Sequence, residues 1–319
     1  MKYTGIAAVC LLLLALLPAS CIMDDYAPKG TASVTMTFTT RAISDGLTRA
    51  PGILLDNEQM TSLRVIVARS TTNEILYNVK YAIDASQTSK TITFSELTVK
   101  TEGEDFDFYA IANEEAFVTT ATELEGKGID LATLKTRVLN KSFNRPPLSK
   151  IPQAGFKTIR VGANENKTAS MQLHFPVGKV QLIFNNQTGS EVTLTNVGLM
   201  GVAPNQGYLF KDIDLNEGLP SNTTQVGNLL FGSEGTLTIP VSPSSDVSPF
   251  VRYIYPGQMT PGDYKLTANW NGKPCEVELK LKDAAEAISS IGYGEQYNIN
   301  ITLLANNHKD IYKMKTSSK

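Results

Sequence analysis

Apolar and polar residues alternate along most of the chain from residue 31 to residue 304, the pattern of strands with one buried and one wet face. In the first such stretch, Val34, Met36 and Phe38 alternate with a serine and threonines. This predicts a strand with one buried face and one hydroxyl-coated face. Further strands are predicted at 63–67, 75–79, 92–94, 105–113, 171–175, 180–184, 192–195, 237–241, 250–255, 264–270, 277–281 and 297–303.

Only one segment has helical spacing. Leu131, Leu134 and Val138 are apolar within residues 130–140, which predicts a single short helix. The stretch from Pro146-Pro147 to Gly162 is expected to be a long connection. The chain is therefore expected to be all-β, with two β-sandwiches in tandem and the helix in the first.

The length of the chain suits two domains. We place the break near residue 176, which gives an N-terminal sandwich at 31–176 and a C-terminal sandwich at 177–305. Residues 306–319 form a polar tail.

The N-terminus has the organisation of an export signal. Lys2 precedes an apolar run from Gly5 to Leu17, and small residues then lead into Cys21. This resembles the lipobox of bacterial lipoproteins, although Pro18 departs from it. The resemblance implies a signal peptide at 1–20, acylation of Cys21 and a tether at 21–30 that holds the protein at the outer membrane. The alternative is an ordinary secretory signal.

The paired acids Asp24 and Asp25 follow the lipidated cysteine. They resemble the surface-export signal of lipoproteins in the Bacteroides group. A flexible acidic tether is the alternative interpretation, so a cell-surface location rests on the resemblance.

Composition and cysteine count argue against nucleic-acid binding and against an internal disulfide. The chain has 29 basic and 31 acidic residues and no long basic run, so nucleic acid is not expected to bind. Because Cys10 leaves with the signal and Cys21 is acylated, Cys275 remains alone and no internal disulfide is expected. Cys275 is expected to fill a core edge.

The sequence gives no support for an enzyme. His174 and His308 have no partners at metal-ligand spacing, and no nucleophile elbow, phosphate loop or dinucleotide fingerprint is present. Residues 212–216 begin like a calcium loop, but the sixth position is a glutamate instead of glycine. Asp105 and Asp107 are expected on the solvent face of a strand. No cofactor is expected.

Three features together resemble the fimbrillin family of Bacteroidales surface fimbriae. The first is the lipoprotein start followed by a lone strand that ends in arginine, at 37–42. The second is the strand at 106–114, which ends in Ala-Asn-Glu. The third is Ile151-Pro152 with a later strand at 177–182, where Pro176 and Gly178 depart from the family's pattern.

The resemblance implies two transthyretin-like sandwich domains and polymerisation by strand exchange. The subunit would be exported as a lipidated precursor, and an arginine-specific protease would cut after the first strand, at Arg41 or Arg49, with Arg41 preferred. The buried apolar side chains of the displaced strand would be Val34, Met36 and Phe38. A groove left by a removed strand exposes backbone groups that a replacement strand can satisfy.

The resemblance also implies a C-terminal donor strand. The candidate residues are Tyr297, Ile299, Ile301 and Leu303. The tail beyond them is lysine-rich, with few apolar residues, and is either a flexible end or a strand that docks late. The implied partners are other fimbrial subunits, the outer membrane through the lipid, and a host or bacterial surface ligand in adhesion.

Two alternatives stay open. A chain that does not donate a strand would be a fimbrial anchor or tip component. A surface lipoprotein that binds glycan would need exposed aromatic residues. Trp270 is expected in the core, which counts against a glycan platform, but Tyr208, Tyr253 and Tyr255 could still build one.

Overall fold

The computed structural model describes residues 29–40, 44–45, 54–84, 87–140, 150–200, 203–211, 213, 225–226, 229–231, 235–241, 250–258, 265–278, 290–304 and 313–317. Cys21, Arg41, Arg49 and His308 lie outside these ranges, as does nearly all of the calcium-like segment. Within the described part, no helix has the length and apolar character needed to cross a bilayer.

The described chain is almost entirely β-structure, as the alternation predicts. The strands of the first half are β1 (Lys29–Thr40), β2 (Ser44–Asp45), β3 (Ser62–Arg69), β4 (Ile75–Ala82), β5 (Ser89–Lys100), β6 (Glu104–Ala112), β7 (Val138–Leu139), β8 (Gln153–Val161) and β9 (Asn166–Leu173). A 3-10 helix at Glu114–Ala116 and one α-helix, α1 (Leu131–Lys135), interrupt them.

The strands of the second half are β10 (Gly178–Asn186), β11 (Val192–Met200), β12 (Ala203–Pro204), β13 (Gly207–Tyr208), β14 (Gln225–Val226), β15 (Leu229–Leu230), β16 (Leu237–Ile239), β17 (Phe250–Ile254), β18 (Gly257–Gln258), β19 (Lys265–Trp270), β20 (Lys273–Glu278), β21 (Ser290–Ile291), β22 (Glu295–Leu304) and β23 (Lys313–Ser317).

The first sandwich packs a four-stranded antiparallel sheet, in the order β4-β3-β6-β8, against a three-stranded sheet in the order β5-β1-β9. The inward faces of both sheets form one apolar core, which includes Val34, Met36 and Phe38 from β1. Because β3 lies between this core and a second apolar layer, it is buried on both faces.

The second sandwich packs a sheet in the order β17-β10-β22, extended by β2 and β23, against a sheet in the order β15-β11-β19-β20. Its core contains Trp270, which is 3% exposed, and Cys275 packs against the same core from a partly buried position. The core positions expected for both residues are confirmed. All-β architecture with one short α-helix in the first half of the described chain matches the expected fold class.

Two local predictions were wrong. The helix ends at Lys135, and Val138 belongs to the short strand β7, because only Leu131 and Leu134 are buried on the helix. The stretch before Gly162 is not a plain connection, because its residues 153–161 form β8, which pairs along its whole length with β6.

The domain break near residue 176 stays a prediction. Most strand pairings stay on one side of it, but short ones cross it. The sheets of the first sandwich use strands up to β9, and those of the second use strands from β10 onward. Among the described strands, two short pairings cross this division, since β2 pairs with β22 and β7 pairs with β13.

Candidate functional site: the seat of the first strand

The first strand is a central strand of its sheet. β1 pairs antiparallel with β5 and parallel with β9, so both of its backbone edges are hydrogen-bonded. Val34, Met36 and Phe38 have no exposed surface. We call the space between β5 and β9 that β1 fills the β1 seat. Removing β1 would expose two strand edges and an apolar floor.

The floor of the β1 seat is built by aromatic and aliphatic side chains of the facing sheet and of the neighbouring strand β5. Phe94 of β5 lies edge-to-face against Phe108 of β6, with 5.6 Å between ring centroids. Both belong to the core that takes up Met36 and Phe38. Burial of each of these β1 side chains contributes about 1.5–3 kcal/mol, so the apolar face of β1 supplies much of the affinity for the seat.

The solvent face of β1 carries a row of hydroxyl contacts. Thr35 and Thr37 lie 3.0 Å from Thr93 and Thr91 of β5 respectively, hydroxyl oxygen to hydroxyl oxygen. Ser33 donates to the Asn166 Oδ1 of β9 at 2.6 Å. Because these groups are exposed to water, the row contributes little to affinity compared with the apolar face.

One irregularity fixes the alignment of β1 with β5. The pairing shifts between Ala32, opposite Leu97, and Val34, opposite Phe94, so β5 carries an extra residue there. Glu96 in this bulge has φ 60°, a left-handed conformation. The bulge lets the inward faces of both strands stay inward on either side of it.

The last residue of β1 is polar and buried. The Thr40 hydroxyl donates to the Oε1 atom of Gln153, the first residue of β8. Gln153 has no exposed surface, and its Nε2 donates to the backbone oxygen of Glu58 at 2.9 Å. The end of β1 is therefore tied to two segments of the first sandwich.

Glu58 continues this connection into the second sandwich. Its carboxylate, fully buried, lies 2.9 Å from the Nζ of Lys179 on β10, whose side chain is 2% exposed. The Tyr253 hydroxyl of β17 donates to the same carboxylate at 2.7 Å. Burial, and then the charge of Glu58, raises the pKa of Tyr253 far above its ordinary value, so the tyrosine stays a donor.

This ion pair lies in an apolar seam between the sandwiches. On the first-sandwich side the seam contains Tyr109, Ile111 and residues of α1. The second sandwich contributes Val251, Tyr253 and Tyr255 of the β17 region and Phe210, whose ring lies edge-to-face to Tyr109 at 5.9 Å. The seam makes the two sandwiches share one core layer.

The Ala-Asn-Glu turn at residues 112–114 holds neighbouring segments of the first sandwich together. Asn113 has φ 54° and no exposed surface. Its Oδ1 accepts from the backbone N–H of Thr61 at 2.9 Å, and its Nδ2 donates to the backbone oxygens of Gln59 and Ile151, each at 2.9 Å. The turn thus holds the start of β3 against the Ile151-Pro152 segment.

Glu114, the next residue, forms a buried ion pair. Its carboxylate accepts from the Nη2 of Arg64 at 2.9 Å and lies 3.0 Å from the Nζ of Lys80. Burial alone would raise the pKa of Glu114, but the hydrogen bonds and charges of Arg64 and Lys80 outweigh it and hold the pKa below its ordinary value.

At Gly178 the sequence departs from the family's pattern, and close packing explains why a glycine lies there. A Cβ atom there would overlap the Cγ2 of Ile291 and would lie 2.9 Å from the backbone oxygen of Gly292. A residue larger than glycine would therefore push β10 away from β21, next to the buried Lys179.

The expected position of Asp107 was wrong. Asp107 is buried, and it accepts hydrogen bonds from Ser70 at 2.6 Å and Thr158 at 2.8 Å and lies 3.1 Å from the Nζ of Lys135. Burial raises the pKa of Asp107, but these donors outweigh it and the pKa is lowered. The strand pattern missed this because the outer face of the sheet is covered by α1.

The structure weighs against the predicted donor strand. Tyr297, Ile299, Ile301 and Leu303 lie on β22, which pairs in parallel with β10 in the middle of its own sheet. All four are buried in the C-terminal core. Donating this segment to a neighbour would empty that core. The other edge of β22 is occupied by β2 near Glu295 and by β23 from Asn300 to Leu304.

The structure also weighs against the tyrosine platform. Tyr253 and Tyr255 are 4% and 6% exposed and lie in the seam, so only Tyr208 of the three is partly open. Within the described residues, no group of three or more histidine, cysteine, aspartate or glutamate side chains is placed to hold a metal ion. His174 lies at an isolated bridge to Ala154.

The fold and the β1 seat define a class: tandem β-sandwiches whose first strand is seated centrally between two others. The same fold occurs in a fimbrial assembly protein from Parabacteroides distasonis, with a TM-score of 0.50 at 10% identity over 91% of this chain and 97% of that one. It occurs in the tip fimbrial protein Mfa3 from Porphyromonas gingivalis, with C-terminal truncation, with a TM-score of 0.50 at 12% identity over 90% and 100% of the two chains.

A candidate cell adhesion protein from Bacteroides eggerthii gives a TM-score of 0.51 at 15% identity over 91% of this chain and 95% of that one. No family model matches the chain, and no curated protein matches it. The resemblance to Bacteroidales fimbrial proteins drawn from the sequence is confirmed at the level of the fold.

Proposed function

We infer that the protein is a structural subunit of a cell-surface fimbria that supports adhesion. It is made as a lipoprotein precursor acylated at Cys21, cut after β1, and assembled by strand exchange. The observation that carries this proposal is the position of β1. β1 holds the centre of a sheet, is followed within ten residues by Arg41 and Arg49, and has a fully buried apolar face.

Strand exchange follows from this arrangement by simple physics. Once the chain is cut, β1 is held only by non-covalent contacts and is free to dissociate. Two unpaired strand edges and an apolar floor then bind any strand of matching pattern. Similarity of fold to a fimbrial assembly protein and to a tip fimbrial protein supports the same proposal.

A non-polymerising anchor or tip component is the second candidate. The observation that favours it is the burial of the predicted donor residues of β22 in their own core. An anchor or tip needs a β1 seat or a donor strand, but not both. A glycan-binding lipoprotein has less support, because Trp270, Tyr253 and Tyr255 are buried.

The test is the mass and N-terminal sequence of the protein from two fractions, outer membrane and sheared surface filaments. A filament species that begins at Ala42 or Ala50 without lipid is the expected result. Arg41→Ala and Arg49→Ala variants then identify the cut. A single species that keeps acylated Cys21 and residues 22–41 would exclude a cleaved stalk subunit and leave the anchor and the glycan-binding lipoprotein.

A further inference from the structure

A short segment between β2 and β3 contacts both sandwiches. Residues 55–59, which we call the clip, form no strand, and four consecutive backbone oxygens in it accept hydrogen bonds from the first sandwich. The oxygens belong to Asp56, Asn57, Glu58 and Gln59, and they accept in turn from Lys150 Nζ at 2.6 Å, the Ile151 backbone N–H at 2.8 Å, Gln153 Nε2 at 2.9 Å and Asn113 Nδ2 at 2.9 Å. The backbone of the clip is therefore fastened to the first sandwich.

Two side chains of the clip contact the second sandwich. The Glu58 carboxylate lies 2.9 Å from Lys179 Nζ and accepts from the Tyr253 hydroxyl at 2.7 Å. Asn57 Nδ2 donates to the same hydroxyl at 3.3 Å. All four residues are buried, so water does not replace these partners if the clip moves.

The first strand positions the clip through one side chain. Thr40, at the end of β1, donates to Gln153 Oε1, and Gln153 Nε2 donates to the backbone oxygen of Glu58. With both ends of its buried amide paired, Gln153 has one favourable orientation. When Thr40 leaves, the amide loses the partner that orients it and opens to water at that end, so its hold on the Glu58 backbone weakens.

The buried charges make the seam sensitive to the position of the clip. The side chains of Glu58 and Lys179 are 0% and 2% exposed. A buried charge that loses its partner is among the most destabilising defects in a protein. A small displacement of Glu58 therefore either breaks the ion pair or lets water into the seam, and both loosen the docking of the sandwiches.

We propose that the clip couples occupation of the β1 seat to the docking of the two sandwiches. With β1 seated, Gln153 holds Glu58 where Lys179 and Tyr253 pair with it. With the seat empty, the clip loosens and the sandwiches move more freely against each other until a strand fills the seat. Emptying and refilling of the seat rest on the proposed function, whereas the coupling is a property of the uncut chain.

The first arm of the test measures amide hydrogen exchange in β10 and β17 of the uncut mature chain. Thr40→Val keeps the side-chain shape but removes the donor, and we expect it to speed exchange around Lys179 and Tyr253 at least about fivefold. Thr40→Ser keeps the donor, and Thr39→Val changes the outward face of the same strand. Both should stay within about twofold of wild type.

Two further variants separate coupling from a general loss of stability. Val34→Ala weakens β1 at an apolar position six residues from Thr40, so it should speed exchange in β1 and leave β10 and β17 within about twofold of wild type. Gln153→Met removes the amide that joins β1 to the clip. In that background, Thr40→Val should cause no further change in β10 and β17.

The second arm runs in the opposite direction, because a coupling between two sites is reciprocal. Lys179→Met should speed exchange at residues 38–40 of β1 at least about fivefold. The control is Lys265→Met, which removes a half-exposed lysine of β19 that pairs with Glu276. It should leave β1 within about twofold of wild type. This arm decides even if Thr40→Val does not fold.

The third arm repeats the exchange measurement on the chain cut with an arginine-specific protease, before and after removal of the β1 peptide by gel filtration. Exchange in β10 and β17 should rise at least about fivefold only after the peptide is removed.

The outcomes are separable. Equal exchange of β10 and β17 in Thr40→Val and Thr39→Val would overturn the coupling. An equal effect of Val34→Ala and Thr40→Val would overturn it as well, because lost stability alone would then explain the exchange. If β1 does not come away after cutting, the proposed function fails, and the first two arms still decide whether the clip couples the seat to the seam.

Discussion

Asn113 directly follows β6, has a positive φ, and joins three segments through its side-chain amide. Asparagine tolerates the left-handed conformation, and here it also satisfies partly or fully buried backbone groups. The Ala-Asn-Glu motif is visible in the sequence as a feature of the resemblance. Its physical reason needed the structure, because its partners lie 38 to 54 residues away.

Asn113→Ala should destabilise the fold by about 3 kcal/mol, because it leaves several buried groups unpaired and adds backbone strain. The matched control is Asn73→Ala. Asn73 has φ 56° but is exposed, so only the backbone strain of about 1 kcal/mol is expected there. Urea unfolding of both variants checks this, and equal losses would contradict it.

Because of Glu114, the stability of the fold should decrease at acidic pH. The pKa of Glu114 is lower in the folded state than its ordinary value. Its ionised form therefore stabilises the fold at pH values above the ordinary pKa, and this contribution is lost as the pH falls through the folded-state pKa. Asp107 acts in the same direction.

Glu114→Gln should cost about 3 kcal/mol at pH 7, because it leaves Arg64 without its buried partner, and should lose less stability than wild type between pH 7 and pH 3. Unfolding measured at several pH values checks the slope. The exposed Glu125→Gln is the control and should follow the wild-type slope.

At the scale of the element, β1 was predictable and β8 was not. The apolar residues of β1 alternate strictly, and their burial follows that alternation. In β8 the first three residues are all buried, because β8 lies between two apolar layers at that end, and the exposed residues 157 and 158 are adjacent. Period-two patterns do not reveal such a strand, and so Gln153 was missed with it.

Phe38→Ala in the uncut chain should destabilise the first sandwich by about 3–5 kcal/mol, since it empties part of the floor of the β1 seat. Thr37→Ala, on the outward face of the same strand, should cost less than about 1 kcal/mol. Chemical denaturation compares them. Similar costs would show that the apolar face of β1 does not dominate its seating.

At the scale of the whole molecule, the two sandwiches are joined by the seam. Two sandwiches were expected from length and strand number, but their shared core was not, because it combines residues from both halves of the chain that are far apart in sequence. Glu58 and Lys179 gave no signal in the sequence, since a buried charge is rare and the pattern assigns charges to the surface.

Lys179→Met should destabilise the protein by about 3–5 kcal/mol, because it leaves the Glu58 carboxylate buried without a cation. The control Lys167→Met removes a half-exposed lysine and should cost less than about 0.5 kcal/mol. Trp270 is the only tryptophan, so its fluorescence reports the second sandwich, and circular dichroism reports both.

In the wild type, the unfolding transition followed by Trp270 fluorescence and the one followed by circular dichroism should coincide, because the seam couples the two sandwiches. In Lys179→Met they should separate. Separate transitions already in the wild type would contradict a shared core that couples the sandwiches.

The parallel pairing of β1 with β9 has a consequence for how the molecule is made. Ser33 and its partner Asn166 are 133 residues apart, so the first strand to be synthesised finds its second neighbour only after more than half of the chain has emerged. Such long-range closure is slow. β1 is therefore among the last strands of the first sandwich to become native, and its sheet stays open until β9 has been synthesised.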